Sequence, residues 1–140
     1  MPLRLKILVV ENNTDCALSL AKLLYLWGHQ RVEVVLDGPS AVASVENGGF
    51  DVVLLDLGLP ALNGWDVARR IRAMPLATRP IIVAVTGHGR TEDRHRAADA
   101  GVDFYLLKPA DPKQLQDLLQ SVATRNQSDS LDGAYLAATE

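Results

Sequence analysis

The sequence predicts an α/β fold in which five parallel strands alternate with five helices. Short runs rich in Val, Ile and Leu recur along the 140 residues, at 5–10, 31–36, 51–56, 80–85 and 103–108. Three of these runs are almost wholly apolar, which is typical of parallel strands covered by helices on both faces. The segments between them have a helical period, and the alternation indicates βα units with right-handed crossovers.

Each intervening segment combines an apolar stripe with a helix start or stop signal. The first helix ends before Gly28, the fourth has Thr91 as its predicted N-cap, and the fifth has Pro112 at its first helical position. The arginines of the fourth helix are expected to form a solvated face. The predicted helices span 15–27, 38–47, 64–74, 91–101 and 111–125.

Composition excludes several classes of protein. The net charge of -3 gives no basic footprint, so no direct contact with nucleic acid is expected. No apolar run is long enough to span a bilayer, and the N-terminus lacks the cleavage site of a signal peptide. The single Cys16 makes no internal disulfide, and no histidine or cysteine cluster has zinc-site spacing. These features predict a cytoplasmic protein.

The chain length suits one domain, which we place at residues 1–124. Residues 125–140 are poorer in apolar side chains and lack a clear period, so they are predicted to be a flexible C-terminal tail. A short helix is allowed there around Ala134 to Ala138.

Four of the five predicted strands end in a side chain that carries chemistry. The first ends at Glu11 and Asn12, the third at Asp56, the fourth at Thr86 and the fifth at Lys108. Taken singly, each is more often a solvated acid, a turn hydroxyl or a surface amine. Parallel sheets, however, place their sites beyond the carboxyl ends of the strands, so all of these side chains are expected on one rim.

The combination is suited to phosphoryl transfer. Asp56 would attack phosphorus as a carboxylate nucleophile and form an acyl phosphate. Lys108 would supply positive charge and Thr86 a hydrogen bond to the transferred group, because catalysis of this reaction is mostly positioning and electrostatics. Magnesium prefers hard oxygen ligands, and Glu11 and Asp56 are the obvious acidic candidates.

The segments "ILVVENN", "DVVLLDLGLPALNGW", "VAVTGHG" and "GVDFYLLKP" resemble the receiver domain of two-component response regulators. The resemblance covers about residues 4–124 in the order and spacing of that family. It implies the flavodoxin-like strand order 2-1-3-4-5 and phosphorylation of Asp56. It also implies a histidine kinase or a histidine phosphotransfer protein as the donor, and a downstream protein target that the sequence does not identify.

The resemblance also assigns roles to individual residues. Thr86 matches the switch hydroxyl, Tyr105 the aromatic switch position, and Lys108 the lysine of the site, with a cis peptide bond between Lys108 and Pro109. Gly58 matches the position whose backbone carbonyl binds magnesium. The implied metal ligands are thus Glu11, Asn12, Asp56 and Gly58.

One position departs from the family pattern. The family has two acids at the positions of Glu11 and Asn12, and the second usually contacts magnesium directly. An amide oxygen can still coordinate, but a neutral ligand loses its direct attraction to the ion. At an effective dielectric near 20, a pair of unit charges about 4 Å apart is worth roughly 4 kcal/mol before desolvation offsets it. We therefore expect weaker magnesium binding.

Two other functions remain open at this point. A pseudo-receiver would keep the fold as a binding module without cycling phosphate, and Asn12 is the residue that favours it. An enzyme or nucleotide binder on a doubly wound sheet is disfavoured, because "ENNTD" contains no glycine for a phosphate-binding turn and no Gly-Lys-Ser/Thr loop occurs. The leading prediction is a signalling receiver that is not an enzyme beyond its own phosphorylation and dephosphorylation.

Overall fold

The computed structural model describes residues 4–87 and 89–131, with side chains described through residue 125. His88, expected from the sequence to be a solvent-facing loop residue, lies outside the described residues, as does the short helix suggested for 134–138. Strands and helices alternate strictly along the described chain. They are β1 (Lys6–Val10), α1 (Thr14–Leu26), β2 (Arg31–Val35), α2 (Gly38–Gly48), β3 (Val52–Leu55), α3 (Gly64–Ala73), β4 (Ile81–Thr86), α4 (Thr91–Asp99), β5 (Phe104–Leu107) and α5 (Pro112–Leu131).

The five strands form one parallel sheet in the order β2-β1-β3-β4-β5, which confirms the predicted fold class and strand order. Alternate strand residues face opposite sides of the sheet, so each face carries its own apolar layer. One layer packs with α2, α3 and α4, and the other packs with α1 and α5. Burial on both faces explains why the central strands are almost wholly apolar, with Lys6 and Thr86 at strand ends as the exceptions.

Short polar side chains fix where the first three helices begin. The side chains of Asn13, Asp37 and Asn63 accept a backbone N–H from the first turn of α1, α2 and α3, respectively. Each cap satisfies one of the backbone donors that a helix N-terminus leaves unpaired. Because these caps end the loops that follow β1, β2 and β3, they also help to fix those loops at the carboxyl edge of the sheet.

Two helix ends differ from the sequence prediction. Thr91 is the first residue of α4 and not its N-cap, which is Arg90. The Asp93 carboxylate accepts the Arg90 N–H at 3.2 Å, so an acid inside the first turn replaces the expected hydroxyl cap. α5 continues to Leu131, past residue 125, since each residue added to an existing helix gains a backbone hydrogen bond without a new nucleation cost. The domain boundary at residue 124 stays a prediction.

Candidate functional site at the carboxyl edge of the sheet

The strand register brings the predicted site residues to one rim. Val10 of β1 pairs with Leu55 of β3, so the residues that follow them, Glu11 and Asp56, leave the sheet side by side. Thr86 ends β4 opposite Leu107 of β5.

The residue that follows β5, Lys108, donates its backbone N–H to the Thr86 carbonyl at 2.8 Å. The sheet therefore places the two acids, the hydroxyl and the amine on the same edge, as the sequence predicts.

Lys108 joins the two acids into one cluster. Its Nζ lies 2.6 Å from Glu11 Oε2 and 3.2 Å from Asp56 Oδ2. The Glu11 and Asp56 side chains are only 9% and 15% exposed, whereas that of Lys108 is 32% exposed. Two largely buried carboxylates thus share one ammonium, and the cluster carries one excess negative charge.

The three charges shift one another's pKa. Burial raises the pKa of Glu11, and the neighbouring Asp56 carboxylate adds to this rise, although Lys108 opposes it. Burial also acts to raise the pKa of Asp56, but a Gly58 N–H bond and the Lys108 ammonium outweigh it, so this pKa lies below its ordinary value. Burial acts to lower the pKa of Lys108, yet both carboxylates outweigh it and the pKa is raised. Asp56 is therefore an ionised carboxylate at neutral pH, which is the form a nucleophile needs.

The loop after β3 holds Asp56 in place. The Gly58 N–H donates to Asp56 Oδ1 at 3.0 Å, which leaves Oδ2 facing Lys108. Gly64 packs so closely that an added Cβ would lie 2.5 Å from the Asp56 carbonyl oxygen, a distance that real Cβ atoms do not show. A glycine at this position lets α3 begin directly against the site.

Asn12 lies beside this cluster and is exposed. Its Nδ2 donates to the Leu36 carbonyl at 3.3 Å, a bond that ties the loop after β1 to the end of β2. An aspartate could not make this bond, because a carboxylate has no donor. Asn13 needs no role in the site, since its side chain caps α1.

The two predicted switch residues lie on the neighbouring strands β4 and β5. The Thr86 side chain is fully buried at the end of β4. Tyr105, on β5, is half-buried, and its pKa is raised by burial and by the nearby Asp93 carboxylate. Ala84, two residues before Thr86 and on the same face of β4, is the β4 residue that pairs with Tyr105.

Arg94 contacts the predicted switch residue Tyr105, and the sequence did not reveal this contact. Its guanidinium lies 4.7 Å from the centroid of the Tyr105 ring, and Arg96 lies 4.2 Å from that of Trp65. Both arginines are exposed, as predicted for a solvated face, but their cationic groups stack on aromatic rings from other elements. No local sequence pattern signals such stacking, because the partners are contributed by β5 and α3.

The oxygen atoms at the rim suit a hard divalent cation, although the side chains do not surround it. Among residues 4–87 and 89–125, no three side chains of the His, Cys, Asp or Glu type form a metal-binding group, so Glu11 and Asp56 supply the carboxylates as a pair. Their oxygens converge on a single ammonium and can therefore converge on a single cation. Asn12 directly follows Glu11 and Gly58 lies two residues after Asp56, so both add neutral oxygens close to the acids in the chain. The peptide bond between Lys108 and Pro109 is cis, as the resemblance implies.

Within the described part of the chain, every helix is too short or too polar to cross a membrane.

The fold and the rim site together define a class of parallel α/β domain with a charged site at the carboxyl edge of its sheet, and comparison with known proteins gives the family. The family model for the response regulator receiver domain matches residues 7–120, so the chain belongs to the receiver-domain family of two-component systems.

In two relatives from curated proteins, the region that matches this chain is one part of a longer protein. The transcriptional regulatory protein TcrA of Mycobacterium tuberculosis is 38% identical over 120 residues, which are 86% of this chain and 46% of TcrA. The virulence sensor protein BvgS of Bordetella bronchiseptica is 34% identical over 126 residues, covering 86% of this chain and 10% of BvgS. The chain thus spans about half or less of the length of these relatives.

Solved structures agree with the fold. The receiver domain of the sensor histidine kinase PA1611 from Pseudomonas aeruginosa has a TM-score of 0.78 and 35% identity, and the match covers 86% of this chain and 98% of that one. Its structure holds a magnesium ion in the active-site cleft. A CheY-like receiver domain protein from Methanospirillum hungatei has a TM-score of 0.79 and 25% identity over 92% of this chain and 99% of that one.

Proposed function

We propose that the protein accepts a phosphoryl group on Asp56 from a histidine kinase or a histidine phosphotransfer protein, and that this modification switches a protein-binding surface. The observation that carries the proposal is the contact of one Lys108 ammonium with both the Asp56 and the Glu11 carboxylates. A nucleophile, a fixed cation and a second acid are thereby held within hydrogen-bond distance, which is the arrangement that phosphoryl transfer needs.

In this reaction the ionised Asp56 Oδ2 attacks phosphorus, and the phosphorus bond to the donor breaks. Lys108 is placed to balance the negative charge on the phosphoryl oxygens, since its Nζ already contacts the attacking oxygen. The Thr86 hydroxyl would then donate to a phosphoryl oxygen. The protein would act on no other substrate, and would catalyse only its own phosphorylation and dephosphorylation.

Magnesium fits the residues of the rim. Four groups would hold the ion: the Glu11 and Asp56 carboxylates, the Gly58 carbonyl and the Asn12 amide oxygen. Asn12 is the neutral residue at a position where the family has an acid. When bound, the ion supplies positive charge that favours an anionic donor next to two carboxylates. The relative PA1611, whose receiver domain holds magnesium in its cleft, supports this assignment.

The output would be a population shift at the surface formed by α4, β5 and α5. Thr86 would move toward the phosphoryl group, and the half-buried Tyr105 ring would turn into the space it leaves. The downstream target would be a protein. Because the net charge of -3 gives no basic footprint, no direct binding to nucleic acid is proposed. The protein would work in the cytoplasm.

One observation favours a second function, a pseudo-receiver that binds a partner without cycling phosphate. The Asn12 Nδ2 donates to the Leu36 carbonyl, and among the described residues two carboxylates contact Lys108, those of Glu11 and Asp56. The contact between Lys108 and Asp56 argues against a pseudo-receiver. A binding module that had lost the chemistry would have no physical need for this buried charge cluster.

Intact-protein mass after incubation with acetyl phosphate separates the two functions. We expect a magnesium-dependent phosphoryl adduct on the wild-type protein and none on Asp56→Asn. An adduct on Asn12→Asp alone would instead make the protein a pseudo-receiver that Asn12 has silenced.

The contribution of Asn12 can be measured directly by calorimetric titration with magnesium. Asn12→Asp restores a charged ligand, and we expect about five- to tenfold tighter binding, because desolvation offsets most of the Coulomb gain. Asn13→Asp is the matched control, since it adds the same charge one residue further on and keeps a good N-cap. Equal tightening in both variants would mean that charge near the rim, and not a ligand at position 12, sets the affinity.

A further inference from the structure

An apolar cleft opens beside Asp56, between α1 and the loop that joins β5 to α5. Its volume is about 500 Å³, which is the size of small-molecule sites in proteins. Glu11, Asp56 and Lys108 lie in its lining together with apolar strand residues. The helix and the loop supply the outer walls, which are Cys16, Ser19, Leu20, Leu23, Pro109 and Ala110.

The position of the cleft limits what can occupy it. A donor must bring its phosphorus to Asp56 and its negative oxygens to Lys108, and both residues border the cleft. The rest of a small donor then meets walls that are mostly apolar. At the rim end of the cleft, Lys108 and a bound magnesium ion would balance the negative charge of the donor, and burial of hydrocarbon would stabilise its chain along the walls.

We propose that the cleft binds the acyl chain of small acyl phosphates, and that donors with an apolar chain of about four carbons are used in preference to acetyl phosphate. This inference rests on the proposed function, since it names a substrate class for the same site. A lone phosphate or a phosphoramidate has no group to place in the cleft. A butyryl phosphate would bury two methylenes more than acetyl phosphate.

The chemical step is the same for every acyl chain. A lone pair of Asp56 Oδ2 forms a bond to phosphorus, and the bond from phosphorus to the bridging oxygen breaks. The electron pair leaves with that oxygen as the free carboxylate, so no proton or redox partner is needed. The chain thus acts only through binding.

Binding that is equal in the ground state and the transition state changes the donor concentration needed and not the maximal rate. Each methylene removed from water is worth about fourfold in affinity. We therefore expect butyryl phosphate to have at least about fivefold higher second-order rate constant than acetyl phosphate, through a lower half-saturating concentration. Phosphorylation of the full chain is followed by intact mass in magnesium buffer, and each rate is divided by that with phosphoramidate.

Two variants locate the preference in the cleft. Ser19→Phe places a bulky ring at an exposed helix position on the cleft wall, and we expect the ratio of butyryl to acetyl rates to fall to about one, since no methylene is then buried. Leu18→Phe is the matched control, because Leu18 is 58% exposed on the same helix and does not line the cleft. It should keep the wild-type ratio.

Cys16 gives a second readout that needs no phosphoryl transfer. It is the only cysteine of the chain, is exposed, and lines the cleft. Butanoylphosphonate carries the same chain on a carbon–phosphorus bond that cannot be transferred. We expect it to slow alkylation of Cys16 by iodoacetamide at concentrations where acetylphosphonate does not.

The outcomes distinguish this inference from the proposed function. If phosphoramidate and acetyl phosphate both fail to label Asp56, the proposed function is wrong and the donor preference falls with it. If they label Asp56 but butyryl phosphate is no better, or Leu18→Phe loses the preference as fully as Ser19→Phe, only the cleft assignment is wrong. A chain-length preference in the rates together with protection of Cys16 establishes it.

Discussion

At the residue scale, Lys108 is the side chain on which the charge balance of the site depends. It is the cation that both Glu11 and Asp56 contact, and both acids are largely buried. Removing one partner of such a cluster leaves the others desolvated and mutually repelling. The same ammonium has to serve as a counter-charge before transfer and as a stabiliser of the phosphoryl oxygens during it.

We therefore expect Lys108→Gln to have two opposite effects. Phosphorylation by acetyl phosphate should slow about 100-fold, the usual effect of losing a group that stabilises transition-state charge. Magnesium should bind more tightly, because the ammonium no longer neutralises the two acids. Rates by intact mass and affinities by calorimetry test both effects.

Lys113→Gln is the control for this substitution. Lys113 pairs with Asp117 on α5, where its side chain is 80% exposed, and such exposed pairs contribute little. Unchanged magnesium affinity in Lys108→Gln would show that Lys108 does not compensate the carboxylates.

At the scale of elements, α4 is held to its neighbours by two arginine–aromatic contacts. Arg94 stacks on Tyr105 of β5, and Arg96 stacks on Trp65 of α3. The Trp65 indole N–H also donates to the Asp93 carbonyl at 3.3 Å. The helix at the proposed output surface is thus joined both to the switch strand and to the helix that begins at the site.

Loss of the Arg94 contact should weaken the fold slightly and favour the switched state. We expect Arg94→Gln to lower the free energy of unfolding by about 0.5–1 kcal/mol, the value of an exposed cation–π pair. Since this contact exists in the unphosphorylated arrangement, phosphorylation should become about two- to fivefold faster.

A urea double-mutant cycle with Tyr105→Leu tests the origin of the effect. Strictly additive free energies would show that the ring and the guanidinium do not interact.

Arg72 of α3 joins three elements at the opposite edge of the sheet. Its guanidinium donates to the Gly101 carbonyl at 2.9 Å, to the Pro80 carbonyl at 2.7 Å and to Asp103 at 2.5 Å. Asp103 in turn accepts the Ile82 N–H. This network fixes where β4 and β5 enter the sheet.

We expect Arg72→Met to cost about 2–3 kcal/mol in the free energy of unfolding, because it removes the guanidinium that pairs with the Asp103 carboxylate and donates to two carbonyls. Arg69→Met, on the same helix, is the control. Its pair with Asp66 is nearly half exposed at both ends, so its loss should cost less than about 0.5 kcal/mol. Similar losses in the two variants would mean that the network adds nothing beyond a surface ion pair.

At the scale of the whole molecule, stability should depend on pH through His29. This histidine is buried after α1, and its Nδ1 accepts the Leu5 N–H at 3.1 Å. Burial lowers its pKa, so the folded protein keeps it neutral while the unfolded chain becomes protonated at about 6.5. Its contribution is complete above that value and is lost as the pH falls from there toward the folded pKa.

Urea unfolding at about pH 7.5 and about pH 5.5 brackets this range. We expect a smaller loss of stability on acidification for His29→Asn, whose amide oxygen can still accept the Leu5 N–H, than for the wild-type protein. His95→Asn should behave as the wild type, since His95 is exposed on α4. If His29→Asn loses as much stability as the wild type between the two pH values, a group other than His29 causes the acid sensitivity.

The sequence by itself determined the secondary structure order and the side chains at the strand ends. Apolar runs, caps and glycines act on near neighbours in the chain, so the five strands could be predicted within one or two residues of their observed bounds. The placement of Asp56 and Lys108 on one rim followed as well, because parallel strands have no other edge for their carboxyl ends. The order of the strands was implied by the family resemblance and not by the alternation alone.

Only the tertiary structure decided which of these groups meet. Lys108 and Glu11 are 97 residues apart in the chain. Their contact depends on the distance between the carboxyl ends of β5 and β1 in the folded sheet. The stacking of Arg94 on Tyr105, the bond from Asn12 to Leu36 and the cleft between α1 and the last loop have the same origin. Local periodicity is set by the backbone of each segment, whereas these contacts are set by the distances between segments packed on a common sheet.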